Sequence, residues 1–204
     1  MREEMNKPRE ADTALFLSES IAGSKVRLCR KRLADAPNDY AWKTDPELTR
    51  LDAAPLLTVG FTEYLSSYAA ELSSCQPAKY QFAIKTLDGK HIGNCAYYDI
   101  NEVKREAEIG ILIGDRDYWG KGYGSDTVKA LVSDIFRQTK LKRIYLKTLH
   151  SNGRAQRCFS KCGFTVCGYF VKGKSSFLLM ELRRERWPQR QEQGQPAIRV
   201  SGVE

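Results

Sequence analysis

Hydrophobic and polar positions divide the chain into alternating strand-like and helix-like stretches. Lys25–Arg30 alternates as a half-buried strand does. Lys79–Thr86 places Tyr80, Phe82 and Ile84 on one face, Asp88-Gly89 is a two-residue hairpin signal, and His91–Ile100 is the return strand. The clearest alternation follows: Ala107, Ile109, Ile111 and Ile113 form an apolar row, opposed by Glu108, Gly110 and Leu112. From 124 to 138 the period becomes helical, with Val128, Leu131, Val132, Ile135 and Phe136 on one side. Arg143–Leu149 then returns parallel to the strand before the helix, a right-handed β-α-β unit. A helix over about 152–161 stops at Gly163, with Phe164 behind it. Two last strands, Phe164–Val171 and Ser176–Leu182, join through Gly173.

Upstream, Asp35 caps a short helix with Pro37 in its first turn, Asp45-Pro46-Glu47 opens a second, and residues 58–73 form a third. Phe61, Tyr64, Leu65 and Tyr68 share one side of that third helix. The pattern predicts an α/β (α+β) fold, a mixed, mostly antiparallel sheet of about seven strands with flanking helices around the β-α-β unit. Residues 1–20 read as a loosely ordered segment in which Ala14–Leu17 offers a short edge strand. Residues 21–187 read as one domain, and the Pro-, Gln-, Gly- and Arg-rich 188–204 as a disordered tail.

Composition narrows the class. The 204 residues suffice for one well-buried domain, and 42% hydrophobic with 28% charged residues is ordinary for a globular protein. No apolar run approaches the roughly 20 residues of a membrane span, and the first residues lack the pattern of a signal peptide, so the expectation is a cytoplasmic protein without a membrane partner. The formal charge of +8 is spread along the chain without a dense basic run, which argues against nucleic acid as the principal partner and suits a ligand carrying several phosphates. Six cysteines form no C-x-x-C pair, and the two histidines lie far apart, so no metal site is expected and the thiols are read as reduced. Cys158 and Cys162 fall on one helix face, a spacing that suits apolar packing better than ligation.

Residues 107–124, AEIGILIGDRDYWGKGYG, combine a strand, a glycine turn and a helix start, an arrangement that suits phosphate. The turn is neither a P-loop, because Gly122 follows Lys121 where Ser or Thr is needed, nor a G-x-G-x-x-G dinucleotide fingerprint. Its spacing, with Gly122 and Gly124 at the two small positions and Trp119 where Gln or Arg is usual, resembles the Gln/Arg-x-x-Gly-x-Gly/Ala motif of the GNAT superfamily of acyl-CoA-dependent N-acetyltransferases. Asn152, Lys161, Gly163 and Phe164 match the family's second motif, Asn-x-x-Ser…Tyr-x-Lys-x-Gly-Phe, but Ala155 replaces the Ser and Phe159 the Tyr. The W-x-x-D-P-E-x-x-R stretch from Trp42 to Arg50 is similar to the opening of the RimJ/RimL-like branch, the ribosomal-protein N-terminal acetyltransferases. Together the resemblance covers about residues 25–185.

It implies a GNAT fold and an acetyl-CoA-dependent N-acetyltransferase moving acetyl directly to a primary amine. The acceptor would be a ribosomal or other protein N-terminus or a small-molecule amine, and the assembly a monomer or homodimer. Glu108 matches the family's catalytic glutamate and can take the amine proton directly or through water; His150 is the second candidate. A strand N–H between Ile111 and Ile113, with Leu112 preferred, would polarise the thioester carbonyl while the pantetheine arm lies along these residues. Trp119, Gly120, Lys121, Gly122, Tyr123 and Gly124 would hold the pyrophosphate, Lys121 adding charge, and Asn152 the pantetheine while also capping its helix. Phe159 would sit beside the sulfur without supplying the usual proton, leaving water, Ser160 or Ser151. That gap leaves a second reading open: a catalytically weak acyl-CoA-binding or ribosome-associated module.

Overall fold

The computed structural model describes residues 20–74 and 79–188. Of the segments predicted at 1–20 and 188–204, all but Ser20 and Pro188, Ala14–Leu17 included, lie outside the described residues. Eight strands form one sheet: β1 (Ser20–Ala22), β2 (Val26–Arg30), β3 (Lys79–Thr86), β4 (His91–Asn101), β5 (Glu106–Ile113), β6 (Arg143–Leu149), β7 (Thr165–Lys172) and β8 (Ser175–Arg183), in the order β1-β2-β3-β4-β5-β6-β8-β7. Seven match the alternating stretches of the sequence, and the eighth, β1, is too short to show a period. Among the described strands, only β5 and β6 run parallel. The α-helices among the described residues are α1 (Ala36–Lys43), α2 (Pro46–Leu51), α3 (Phe61–Ser73), α4 (Tyr123–Gln138) and α5 (Gly153–Lys161).

Local signals set the turns. Gly89 takes φ +93 and closes the β3–β4 hairpin, with Thr86 N–H bonded to the Lys90 carbonyl at 2.9 Å. At the end of α5, Phe164 N–H reaches the Phe159 carbonyl at 3.1 Å and Gly163 has φ +91, the expected left-handed stop. Asp45 caps α2 by accepting from Glu47 and Leu48 N–H at 2.9 and 3.0 Å.

Asp35 departs from the sequence reading. It stands at the start of α1 but makes no capping bond there. Its carboxylate accepts the Arg32 N–H at 2.8 Å, pairs with Lys85 at 3.2 Å and lies 3.6 Å from His91 Nδ1. Asp39, Lys31 and Asn94 continue this buried cluster, which ties α1 to β2 and β4. In a low-dielectric site, charges are tolerable only with such partners.

The sheet separates two environments. On one face, α4 packs Val128, Leu131, Val132 and Ile135 against Val26, Leu28, Ile84, Ala107 and Ile109, all nearly or fully buried. The other face is covered by α1 and α3 over its first half, where Ala36, Tyr64 and Tyr68 form a small second core. Its second half carries an ion-pair ladder, Glu106–Arg143–Glu181–Arg183, with contacts of 2.5–2.9 Å.

Asp126, in the first turn of α4, fastens the β1–β2 turn. It accepts from Ser24 N–H and hydroxyl (3.1 and 2.7 Å), Lys25 N–H (2.7 Å) and Val26 N–H (3.1 Å). Burial pushes its carboxyl up, but the hydrogen bonds from Lys25, Ser24 and Val26 outweigh burial and hold it below the usual range. A depressed carboxyl adds stability above its unfolded pKa, near 3.9, and loses it as pH falls through the folded value. Asp126→Asn is therefore expected to lower Tm at pH 7 and to narrow the gap from wild type below about pH 4. Melting curves across pH 2.5–7 check this; parallel curves over the whole range would refute it.

Candidate active site

The site follows from a fork in the sheet. β5 pairs with β6 only over Glu106–Glu108, opposite Arg143–Tyr145, whereas it stays paired with β4 as far as Ile113 opposite Gly93. β6 continues to Leu149 beside β8. Beyond Glu108 the two parallel strands therefore part, and burial relaxes there: Ala107, Glu108 and Ile109 are buried, while residues 110–113 are half-exposed.

The ladder's phase decides which backbone groups face the fork. Gly114 N–H donates to the Ile92 carbonyl at 3.0 Å, so alternation makes Asn94–Leu112, Ala96–Gly110 and Tyr98–Glu108 the hydrogen-bonded pairs. A Cβ on Gly93 would meet the Leu112 carbonyl oxygen at 2.1 Å, which confirms that Leu112 turns its backbone toward β4. The expected use of the Leu112 N–H is thus corrected: that amide is spent in the sheet. Ala107, Ile109, Ile111 and Ile113 point the other way, as the Arg105 carbonyl does in accepting from Arg143 N–H at 3.2 Å. Ile109 and Ile111 are the ones that open onto the fork.

Glu108 sits on the last paired rung, and its side chain is 6% exposed. Tyr98, directly across on β4, donates its hydroxyl to Oε1 at 3.2 Å, and Lys147 of β6 donates to Oε2 at 2.5 Å. The hydrogen bond to Glu108 raises the Lys147 pKa; burial, followed by the Glu108 charge, pushes the Tyr98 phenol well above its ordinary value. Gly110 leaves room here: a Cβ would stand 3.4 Å from the Tyr98 ring and hydroxyl. Asp52, just past α2, keeps an exposed surface, while the protein packed around its carboxyl withdraws water from it and pushes it up to about 6 against the pull of Lys43. Its charge and that of Asp99 bear on Tyr98. Tyr97, by contrast, is a core ring stacked on Tyr80 at 4.6 Å.

The glycine turn lies at the open end of the fork. Gly120 and Gly122 have φ +72 and +88, and Gly122 is the residue before α4. Gly124 is already helical; a Cβ there would touch Cys158 Sγ at 3.4 Å, so its smallness serves helix packing. Lys25 was not flagged by the sequence. Its ammonium bonds the Lys121 carbonyl at 3.0 Å and lies over the Tyr123 ring, adding a cation to the turn. Lys121 and Gly122 are exposed. Trp119 stitches the turn to β5: its indole N–H donates to the Ile113 carbonyl at 2.7 Å, and the Arg154 guanidinium stacks 3.2 Å from its ring centre. Ile113 thus has its fork-facing carbonyl occupied.

On α5, Asn152 is the N-cap, accepting from Ala155 N–H at 3.2 Å, and its amide also reaches the Leu51 carbonyl at 3.4 Å. Cys158 and Cys162 both contact Ser125 of α4, at 3.4 and 3.5 Å. They are a packing contact between helices with no third ligand; no metal-ligating group forms among the described residues. His150 is exposed just past the end of β6, edge-on to Tyr169 at 6.2 Å, and the Glu108 carboxylate takes its hydrogen bonds from Tyr98 and Lys147 instead.

Phe159 is 8% exposed and packs on Phe164 with ring centres 6.0 Å apart. It is part of the hydrophobic core cluster. A hydroxyl buried there without a partner costs about 1–3 kcal/mol. Phe159→Tyr is therefore expected to lower Tm without raising kcat. A variant with unchanged Tm and higher kcat would show that the ring does reach the reacting sulfur.

The acetyltransferase (GNAT) domain family matches residues 25–165. The chain belongs to this family. It is similar to the N-acetyltransferase p20 of Bacillus licheniformis, 27% identical over 148 residues, which span 72% of this chain and 82% of that protein. Spermidine N(1)-acetyltransferase of Escherichia coli K12 is 32% identical over 92 residues, covering 43% of this chain and about half of the enzyme, 49%. Among solved structures, the fold is shared with spermidine N-acetyltransferase from Vibrio cholerae in complex with CoA and spermine (TM-score 0.70, 20% identity, 80% of this chain and 98% of that one). It is shared likewise with Mycobacterium smegmatis RimJ in complex with CoA-disulfide (TM-score 0.69, 19% identity, 83% and 90%).

The chain is thus an acetyl-CoA-dependent N-acetyltransferase of the GNAT fold. Its residues fit acetyl-CoA as a substrate. Two left-handed glycines, the α4 N-terminus and the Lys25 ammonium suit a pyrophosphate, and the unpaired edge of β5 suits an amide-bearing arm.

Proposed function

We propose that this GNAT enzyme transfers acetyl from acetyl-CoA to an amine bound against Glu108, by direct attack without an acyl-enzyme. The observation that carries the reading is the placement of Glu108 at the crotch of the β5–β6 fork, where the thioester and the amine can meet. Glu108 accepts the amine proton, directly or through water, while Tyr98 and Lys147 fix the carboxylate's orientation. The N–H of Ile111 points into the fork and takes the role of polarising the thioester carbonyl. The pyrophosphate meets the backbone of residues 120–124 and Lys25, and Asn152 orients the arm while it caps α5.

The acceptor class we favour is the N-terminal α-amine of a ribosomal or other protein. The stretch from Trp42 to Arg50 supports it, since its Asp45 and Glu47 are both locked to Arg116, at 2.9 Å each, at the end of β5. A cytoplasmic site of action fits the free thiols at the described cysteines. The polyamine activity named for the Escherichia coli and Vibrio cholerae proteins is the second reading, supported by the Asp52, Asp99 and Glu108 carboxylates around the amine position.

The test is incubation with acetyl-CoA and a panel of peptides, polyamines and aminoglycosides, followed by mass spectrometry of acceptor and enzyme. An N-acetylated acceptor with no acetyl group on the quenched enzyme is expected. Acetylated Cys158, or turnover lost on its replacement by Ala with the fold intact, would overturn direct transfer.

A further inference from the structure

A cavity of about 290 Å³ opens beside the far end of β6, and the proposed chemistry does not use it. Arg50 and Lys174 line it, together with His150 and the hydroxyl-bearing Ser151, Ser175 and Ser176; no carboxylate does. Neither cation has an ion pair or side-chain hydrogen bond among the described residues. Arg116, Arg143, Lys31, Lys85 and Lys147, by contrast, each hold a carboxylate. Two cations without a carboxylate partner among the described residues, with serines beside them, make an anion site, because Arg and Lys supply charge-assisted donors and a serine hydroxyl can donate to an oxygen they leave free.

Its place in the fold ties it to the acceptor. Leu149, on its floor, shares a sheet face with Lys147 and Tyr145, and Tyr145 stands opposite Glu108. From Tyr145 to Leu149 is four residues, roughly 13 Å along the strand. Arg50 reaches the cavity from the end of α2, two residues before Asp52, whose charge bears on Tyr98. The strand face that starts at Tyr145, opposite Glu108, therefore ends at the cavity.

We infer that the cavity is an acceptor subsite for an anionic group, a carboxylate or a phosphate, carried roughly 10–13 Å from the amine that meets Glu108. The identification of the occupant as the acceptor rests on the proposed transfer at Glu108. An extended peptide advances about 3.3 Å per residue, so the anion belongs to a side chain near the fourth residue of an N-terminal peptide. A polyamine would bring a second ammonium against Arg50 and Lys174, a like-charge contact that selects against it.

The experiment uses the full chain, acetyl-CoA and three peptides that differ only at the fourth residue, Asp, phosphoserine or Asn, with spermidine as a fourth acceptor. The expected result is a kcat/KM about tenfold or more higher for the anionic peptides than for the Asn peptide, shrinking as salt rises. The double variant R50A/K174A should bring that ratio close to one through KM, and unchanged melting would exclude misfolding. The Asp and phosphoserine arms tell a carboxylate from a phosphate. A wild-type ratio near one, a ratio the double variant leaves unaltered, or spermidine as the best acceptor would overturn the subsite. Fluorescence anisotropy of the N-acetylated peptides reads the subsite without turnover. If no peptide is acetylated but the anionic ones bind more tightly, and lose that advantage in R50A/K174A, the subsite stands and the transfer reading fails. Equal acetylation with equal binding gives the reverse.

Discussion

Glu108→Gln is expected to cut kcat/KM by about 10²–10⁴ while leaving CoA affinity within about twofold. Gln keeps the size and shape of the side chain but cannot take a proton at neutral pH. The change also has a structural cost. Tyr98 and Lys147 both donate to the carboxylate, one to each oxygen, and a carboxamide offers only one oxygen. Lys147 is 42% exposed at its side chain and can turn to water, so the loss falls mainly on geometry and not on Tm. CoA affinity is insulated because the glycine turn belongs to the other end of β5, past Ile113. Steady-state kinetics with a saturating amine, beside calorimetric CoA titration, check this. A variant within about threefold of wild type would move proton acceptance to His150 or to water. A variant that loses CoA binding as well would mean that Glu108 organises the fork as a whole.

Much of this arrangement was legible because it is local. The Asp88-Gly89 hairpin, the Gly163 stop, the short helix opened by Asp45-Pro46-Glu47 and the apolar row of β5 each depend on a few neighbouring residues, and each stands where expected. The features that were not legible depend on register or on distant pairing. Alternation tells which residues of β5 share a face, but not which strand edge an amide faces; only the pairing with β4 sets Leu112 toward Asn94 and Ile111 toward the fork. Tyr98, Glu108 and Lys147 come from three strands and meet because of the registers Tyr98–Glu108 and Glu108–Tyr145. Lys25 bonds the Lys121 carbonyl across 96 positions of sequence, and Asp126 fastens a turn about 100 positions away, so no window along the chain contains either pair. Phe159 shows a different limit. Its match to a motif position suggested exposure to the cofactor, whereas packing on Phe164 decides its burial.

The glycine turn separates two uses of the same residue type, and substitution should expose the difference. Gly122 has φ +88, where an L side chain is disfavoured by about 1–2 kcal/mol and a β-branched one by more. Gly124 lies within α4, where an added methyl meets only Cys158 Sγ at 3.4 Å and Ile113 Cγ1 at 3.8 Å, ordinary contacts. Gly122→Val should therefore twist the peptide planes of the turn and turn its N–H groups away from the pyrophosphate, weakening CoA by about 10–100-fold. Gly124→Ala should leave affinity within about threefold, since Ala suits the first turn of a helix. Lys25 sets a further contrast. Its ammonium lies 3.7 Å from the position a Cβ would take on Gly122, so a valine there also crowds the cation beside the phosphates. Lys25→Met, which keeps the backbone of the turn, should cost less than Gly122→Val and should flatten the salt dependence of CoA binding. Thermal shift with and without CoA reads all three. If CoA raises the Tm of wild type and Gly122→Val equally, the turn does not hold the pyrophosphate; if Gly124→Ala is as damaging as Gly122→Val, the requirement is for small size throughout the turn and not for the left-handed backbone at Gly122.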